Sequence, residues 1–359
     1  MTILLRVSLD IEESHPEESL RFRNSVRTIK AFSKKGNKLV ILAHLGRPKV
    51  YEKKLSLIKF KKPLERSLNK KVVFLAGENI SGDARAIKLS KPGTVFLMEN
   101  VRFNSGETTN SSVFARSLAG LGERYVNDDF PTVHHTNASN VGITKFIPSS
   151  AGPNLKKEIS ILSGLMRNPK KPFILIIGGV KMSDKMEVIY NLLIKADFVI
   201  LGGGPGNTFI KANGLNIGQS IYEPRMLPDA KKLSKNERVV IPIDSVWSKN
   251  KILDIGPATI KNYTSIISTA KTIIWGGPMG FFENPKFSKG TKSIWQAIIK
   301  NKKSVTVVGG GETVASLKLA SKNLKMDNKI YLSTGGGAML EFLAGKKLPA
   351  LIALKLQKK

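Results

Sequence analysis

The sequence contains no cysteine, which excludes disulfides and thiolate metal sites and fits a reducing compartment. No apolar stretch approaches the ~20 residues that a membrane-spanning helix needs. The N-terminal MTILLRVSLD has too short an apolar run for a signal peptide. A soluble, cytoplasmic protein with no membrane partner is therefore expected. Tandem repeats of the solenoid kind are absent. Neither the P-loop pattern nor a G-x-G-x-x-G dinucleotide fingerprint occurs. Acidic side chains are scarce, 27 against 58 basic ones.

The resulting net charge of +31 suggests nucleic acid, an anionic surface or acidic metabolites as partners. Only 13 of the 58 basic residues are arginine, and ten of these precede residue 150. Lysine spread along the whole chain is most simply a solvated surface. Arginine kept in one half is different, because its planar fork binds phosphate and carboxylate bidentately. The first half is expected to hold an arginine-lined anion site. With 359 residues, 41% of them apolar, two packed domains are the natural expectation.

Apolar, strand-like runs recur at Ile3–Val7, Leu39–Ala43, Val72–Leu75, Val95–Met98, Phe173–Ile177, Phe198–Leu201, Val239–Ile243, Thr272–Trp275, Val305–Val308 and Ile330–Leu332. Amphipathic segments such as Leu20–Phe32, Val113–Leu121, Leu155–Leu165, Met186–Ile194, Thr259–Ala270 and Thr291–Ile299 separate most of them. This alternation predicts an α/β fold of parallel sheets covered by helices, with ligands at the carboxyl ends of the strands. In the first half those ends carry Ser8 and Asp10, His44 to Arg47, Glu99 to Arg102, and Asn127-Asp128. In the second half they are glycine clusters: 178–179, 202–204, 276–277, 309–311 and 335–337. The change of character falls at FIPSSAGPN, which reads as a linker or a helix start.

The stretch Pro172–Lys185, PFILIIGGVKMSDK, is a buried strand, a glycine turn and two lysines four residues apart. It suits a polyanion, although an ordinary strand-to-helix turn with solvated lysines has the same pattern. Five glycine clusters in register predict a floor of exposed backbone amides for phosphates and a flat base.

In order and spacing the motifs resemble the phosphoglycerate kinase family almost end to end. HLGRP (44–48), MENVRF (98–103) and YVNDDFPTVHH (125–135) are similar to its substrate-domain signatures. GGVKMSDK (178–185), GGGPGNTF (202–209), LDIGPAT (253–259), WGGPMGFFE (275–283), FSKGT (287–291), GGGET (309–313) and STGGGAMLEFLAGKKLP (333–349) are similar to its nucleotide-domain signatures. The resemblance implies two Rossmann-like domains in a hinge-bending, bilobal kinase. A triose-binding domain would span 1–150, with the tail 345–359 packing back onto it. A nucleotide-binding domain would span 151–344, beginning with an interdomain helix at about 154–167.

By the same resemblance the chain transfers a phosphoryl group reversibly between 1,3-bisphosphoglycerate and ADP, giving 3-phosphoglycerate and ATP, with Mg2+. Such chemistry is mostly positioning and charge neutralisation. The triose would be met by Ser8, Asp10, Arg21, His44, Arg47, Arg102 and His135. Arg21 would face the phosphoryl group in transfer, although Arg23 and Arg27 lie close by. Lys181 would stabilise the moving group, with Gly311 and Gly337 also in catalytic places. The nucleotide would be met by Lys181, Lys185, Gly202, Gly203, Gly277, Pro278, Glu283, Gly310, Gly311, Glu312 and Thr313. Glu312 would be the magnesium ligand. A monomer is implied, and no nucleic-acid partner is expected.

The departures from the family pattern concentrate on the triose side. Ser8 and Asp10 in RVSLDIE stand where the family has Asp and Asn in RVDFNVP. His135 stands for an arginine, Asn137 for a histidine, and Pro131 for a glycine. Asp10 would add negative charge beside an anionic substrate unless it pairs with Arg21 or Arg47. On the nucleotide side Glu312 stands for Asp, Gly276 for Asn, Pro205-Gly206 for Met-Ala and Met339 for Ser. The loop from Trp247 to Leu253 is shorter than the family's. The alternative reading is a nucleotide-binding paralogue with lost or altered triose activity, binding nucleic acid or another anion through its basic surface.

Overall fold

The computed structural model describes residues 1–11, 15–33, 36–77, 79–320 and 329–358. The chain forms two compact units, Met1–Ser160 with Lys347–Lys359, and Ile161–Lys346. The division falls inside the helix Pro153–Arg167.

The first unit contains strands β1 (Thr2–Arg6), β2 (Lys38–Leu42), β3 (Val72–Leu75), β4 (Val95–Met98), β5 (Arg124–Asn127) and β6 (Ser149–Ala151). They make one parallel sheet in the order β3-β4-β2-β1-β5-β6. Strand periodicity explains why both faces are dry. Ile3, Leu5, Leu39 and Ile41 pack on one side with Phe22 and Phe60, while Leu4, Val40 and Leu42 pack on the other with Phe96 and Phe114. The connections run one way from β1 through β2 and the other way to β5, so the crevice of the sheet lies at the carboxyl ends of β1 and β5. The C-terminal segment joins this unit, where the Ala350 N–H donates to Val133 O (3.0 Å).

The second unit contains β7 (Phe173–Ile177), β8 (Phe198–Leu201), β9 (Val239–Val240), β10 (Ser245–Ser248), β11 (Lys251–Ile255), β12 (Thr272–Gly276), β13 (Val305–Gly309) and β14 (Ile330–Leu332). Six of them form a parallel sheet, β14-β13-β12-β7-β8-β9. Here the order reverses between β7 and β12. The core under it is built on Ile174 and Ile176 against Trp275 and Trp295, whose rings meet edge to face with centroids 4.8 Å apart. Each indole N–H finds a partner, Trp275 on Gly277 O and Trp295 on Ser316 Oγ.

Three local expectations are corrected. The FIPSSAGPN segment is neither a linker nor simply a helix start. Ser149–Ala151 is the edge strand β6 paired with β5, and the helix begins at Pro153. Asp128 receives the N–H groups of Asn154 (2.7 Å) and Leu155 (3.1 Å), so a side chain from the end of β5 caps that helix. The run Val239–Ile243 is a strand only at Val239–Val240, because Pro242 has no N–H to extend the ladder. The short 247–253 segment is the tip of the antiparallel hairpin β10–β11. Lys249 and Asn250 both take positive φ (46° and 58°) in its two-residue turn.

Candidate active site

At the carboxyl ends of β1, β2, β4 and β5 the first unit gathers a cluster of basic groups around a buried ion pair. Arg6 closes β1 and is fully buried. Its Nη1 lies 2.9 Å from Asp129 Oδ2, its Nε donates to Ser139 Oγ (3.1 Å), and its Nη2 donates to His44 Nδ1 (2.9 Å). The buried Glu107 continues this network, accepting from the N–H (2.9 Å) and hydroxyl (2.6 Å) of Ser139 and from Asn137 Nδ2 (3.2 Å). None of Arg6, Asp129, Glu107 and Ser139 was anticipated as functional. The available signal was an arginine inside the apolar run LLRV.

A guanidinium has no acceptor, so Arg6 obliges His44 Nδ1 to accept and puts the imidazole proton on Nε2. Burial, with Arg6 and Arg102 nearby, pushes His44 below its ordinary pKa, so the ring is neutral at pH 7. Its Nε2 lies 3.6 Å from Asp10 Oδ2. Asp10 Oδ1 accepts the Gly46 N–H (2.8 Å). Gly46 has φ +62°, which lets its N–H face Asp10 while its carbonyl accepts from Arg102 Nη1 (2.6 Å). Burial works against ionisation of Asp10, but His44, the Gly46 N–H and Arg21 outweigh it and hold the carboxyl well below its usual range.

Arg21 donates to the Asp10 carbonyl (2.8 Å) with Nη1 4.0 Å from Oδ2. Arg23 and Arg27, on the same helix, are exposed. Arg47 is exposed at the rim. His135 packs against His134 with the rings tilted at 38° and their centroids 3.9 Å apart. Burial, then His134, Arg102, His44 and Arg47, push its pKa down to about 4. Ser8 is buried beside the cluster, and its hydroxyl finds no hydrogen-bond partner among the described residues. Thus Ser8, Asp10, Arg21, His44, Arg47, Arg102 and His135 converge on one region. Asn137 points away, into the Glu107 network.

In the second unit two cavities adjoin at the ends of β7 and β12. The larger, about 450 Å3, is lined by Gly203, Gly204, Pro278, Phe281, Glu283 and Glu312 among others. The β10–β11 hairpin walls it with Ser245 and Lys251–Ile255, so the shortened segment shapes a pocket instead of being a free surface loop. The smaller, about 320 Å3, is lined by Lys185, Gly276, Gly277, Gly309–Thr313 and Gly336. Gly179, Val180 and Glu312 border both. Lys185 is buried and donates to Lys181 O (2.8 Å), and burial lowers its pKa. Lys181 is exposed and lines neither cavity, nor do Gly202 and Gly337.

The glycine clusters do two different jobs. The expected floor of exposed amides is not present at 178–179 and 203–204. The Gly179 N–H donates to Pro278 O (2.7 Å), Gly204 to Gly179 O (2.7 Å) and Gly203 to Met279 O (2.9 Å). These loops touch backbone to backbone. A Cβ on Gly204 would stand 2.0 Å from Val180 O, and one on Gly178 2.2 Å from Pro278 O. Gly277 donates to Thr313 Oγ1 (2.8 Å), which ties the β12 and β13 loops together. Gly311, by contrast, has open space around it, and the helix Gly336–Leu343 starts at the smaller cavity. First-turn N–H groups of a helix lack intrahelical partners and favour an anion.

Asp254 is buried at the foot of the hairpin, where it accepts the Gly290 N–H (2.7 Å) and Ile255 N–H (2.9 Å). Burial raises its pKa to about 6.

Comparison with known proteins places this geometry. The family model described as phosphoglycerate kinase matches residues 1–346. A phosphoglycerate kinase of Thermosipho africanus is 40% identical, over 99% of this chain and 96% of the relative. One of Clostridium botulinum is 38% identical, over 98% and 95%. The solved structure of phosphoglycerate kinase from Coxiella burnetii superposes with a TM-score of 0.83 at 34% identity, covering 100% of this chain and 97% of that one. That from Pyrococcus horikoshii gives 0.84 at 28% identity, covering 99% and 96%.

Proposed function

This chain belongs to the phosphoglycerate kinase family, and we propose that it transfers a phosphoryl group between the acyl phosphate of 1,3-bisphosphoglycerate and ADP, reversibly. In the direction of acyl-phosphate synthesis, a carboxylate oxygen of 3-phosphoglycerate forms a bond to the γ-phosphorus of ATP. The bond from that phosphorus to the β,γ-bridging oxygen breaks, and ADP leaves with the electron pair. No covalent enzyme intermediate is needed, so the protein's work is orientation and charge neutralisation.

The observation that carries this reading is the pair of adjoining cavities in the second unit. The wide one suits a base and ribose. The narrow one presents Lys185 and the start of the helix Gly336–Leu343 to phosphates. In this assignment Glu283 accepts from ribose hydroxyls at the rim, and Lys185 exchanges the Lys181 carbonyl for a phosphate oxygen. Gly310, Gly311 and Gly336 border the phosphates. Lys181 is given to the moving phosphoryl group. In the first unit Arg21, Arg47 and Arg102 hold the triose, with His44 and Ser8 at the strand ends.

Among the described residues no three His, Cys, Asp or Glu side chains cluster as a cage for a metal. Glu312, bordering both cavities, nonetheless fits Mg2+, a cation held by one or two carboxylates plus phosphate oxygens. When bound there, magnesium would neutralise phosphate charge.

A coupled assay of ATP consumption with 3-phosphoglycerate, beside calorimetric titration of each ligand, tests the proposal. Turnover that needs both reactants is expected. Tight ADP binding without turnover would overturn it.

A further inference from the structure

The triose cluster holds a carboxylate of its own. Asp10 receives the Gly46 N–H at 2.8 Å, faces the Nε2–H of His44 at 3.6 Å and stands 4.0 Å from Arg21 Nη1. His44 and the Gly46 N–H are aimed at that position by other groups. Arg6 sets the tautomer of His44. The positive φ of Gly46 and the Arg102 bond to its carbonyl set the direction of its N–H. Arg21 is anchored on the Asp10 carbonyl itself. An N–H fork beside a guanidinium is the recognition geometry for a carboxylate or phosphoryl oxygen.

We propose that Asp10 is a built-in competitor of the anionic substrate, occupying the donors that would otherwise receive the substrate's carboxylate. The inference rests on the triose assignment made above. Its side chain is 35% exposed, so it can turn outward into solvent. Its main chain stays in place through Arg21, so only a side-chain rotation is needed. Substrate binding then exchanges one carboxylate for another on the same donors. The net gain is the difference between two carboxylates facing the same donors, one hydrogen bond and two longer polar contacts in the case of Asp10, and a vacated carboxylate remains close by to repel the incoming anion. Arg21, His44 and the Gly46 N–H therefore deliver less affinity for the triose than the same donors would without Asp10.

The substitution Asp10→Asn is nearly isosteric and keeps an acceptor for Gly46, but it removes the charge and turns no second acceptor toward His44. Calorimetric titrations of the full chain with sulfate, with 3-phosphoglycerate and with ADP compare it with the unaltered protein and with Asp10→Glu. The expected result is about tenfold tighter binding of sulfate and of 3-phosphoglycerate by Asp10→Asn, equivalent to about 1.4 kcal/mol. Asp10→Glu should bind neither more tightly than the unaltered protein. ADP affinity should be the same in all three, which also reports an intact second unit. Unchanged or weaker sulfate binding by Asp10→Asn would overturn the proposal. Tighter sulfate binding with no binding of 3-phosphoglycerate by any variant would leave the competitor in place and overturn the choice of triose as substrate.

Discussion

Arg6 Nη1 and Asp129 Oδ2 meet at 2.9 Å, and neither side chain is exposed to solvent. Arg6 ends β1 and Asp129 follows β5, the two strands between which the chain reverses its direction of travel across the sheet. The pair therefore closes the floor of the anion site at its topological switch point. It also supplies the hydrogen bond that orients His44.

Removing one partner of such a pair leaves the other charge buried and uncompensated. Arg6→Met is expected to lower the unfolding free energy by ~3–5 kcal/mol. The double substitution Arg6→Met with Asp129→Leu should recover most of it, because no charge is then stranded. Denaturant unfolding of the two variants checks this. A double variant as unstable as the single one would refute the account.

The two classes of glycine predict opposite outcomes for alanine. Gly178→Ala drives a methyl group against the Pro278 carbonyl, so nucleotide affinity and thermal stability should both fall. Gly311→Ala meets nothing within 4 Å and its φ is ordinary. Its melting temperature should stay close to that of the unaltered protein, since an unstrained surface change is worth at most ~0.5 kcal/mol. Differential scanning calorimetry of both variants decides the point.

His135 should titrate near pH 4, displaced from an ordinary histidine by burial and by His134, Arg102, His44 and Arg47. The unfolded chain then binds more protons than the folded one between about pH 4 and the ordinary histidine pKa of ~6.5. Stability must therefore rise with pH across that window, and this contribution is complete above it. NMR titration of the ring should give a midpoint near 4. Addition of 3-phosphoglycerate should move it upward, because the phosphate stabilises the charged ring. A midpoint near 6.5 in the free protein would contradict the described surroundings.

Lys181 and Lys185 should separate kinetically. Lys185 is buried in the smaller cavity, so Lys185→Met should weaken ADP binding about 10- to 150-fold, the worth of a charged hydrogen bond of ~1.5–3 kcal/mol. Lys181 is exposed and outside both cavities. Lys181→Ala should leave ADP affinity within about twofold and lower kcat far more, as expected of a group that acts on the transition state alone. Equal losses of affinity in the two variants would defeat the division of roles.

Much of this molecule was readable from its residues because its signals are local. A buried parallel strand announces itself as an unbroken run such as FILII, and the parallel α/β class followed from the alternation of such runs with amphipathic segments. The collinear motifs identified the family. The end of β5 was marked by Asn127-Asp128, but the edge strand β6 went unread, because the three residues of Ser149–Ala151 carry little apolar pattern. It is a strand because β5 lies alongside with free backbone groups.

What only the tertiary structure decided is where charge sits and what it faces. Composition could say that arginine concentrates in the first half, but not that Arg6 is buried on Asp129 while Arg47 stands in solvent. Spacing could mark the glycine clusters, but not that the 178–179 and 203–204 backbones hydrogen-bond across loops 25 residues apart. The substitution pattern flagged Asp10 as a charge in the wrong place. Arg21 was among its expected partners, but the contacts with His44 and the Gly46 N–H, which come from the separate segment 44–46, could not be read from the chain. Those contacts are set by the register of parallel strands and by the turn at Gly46, and neither is encoded within any one stretch of sequence.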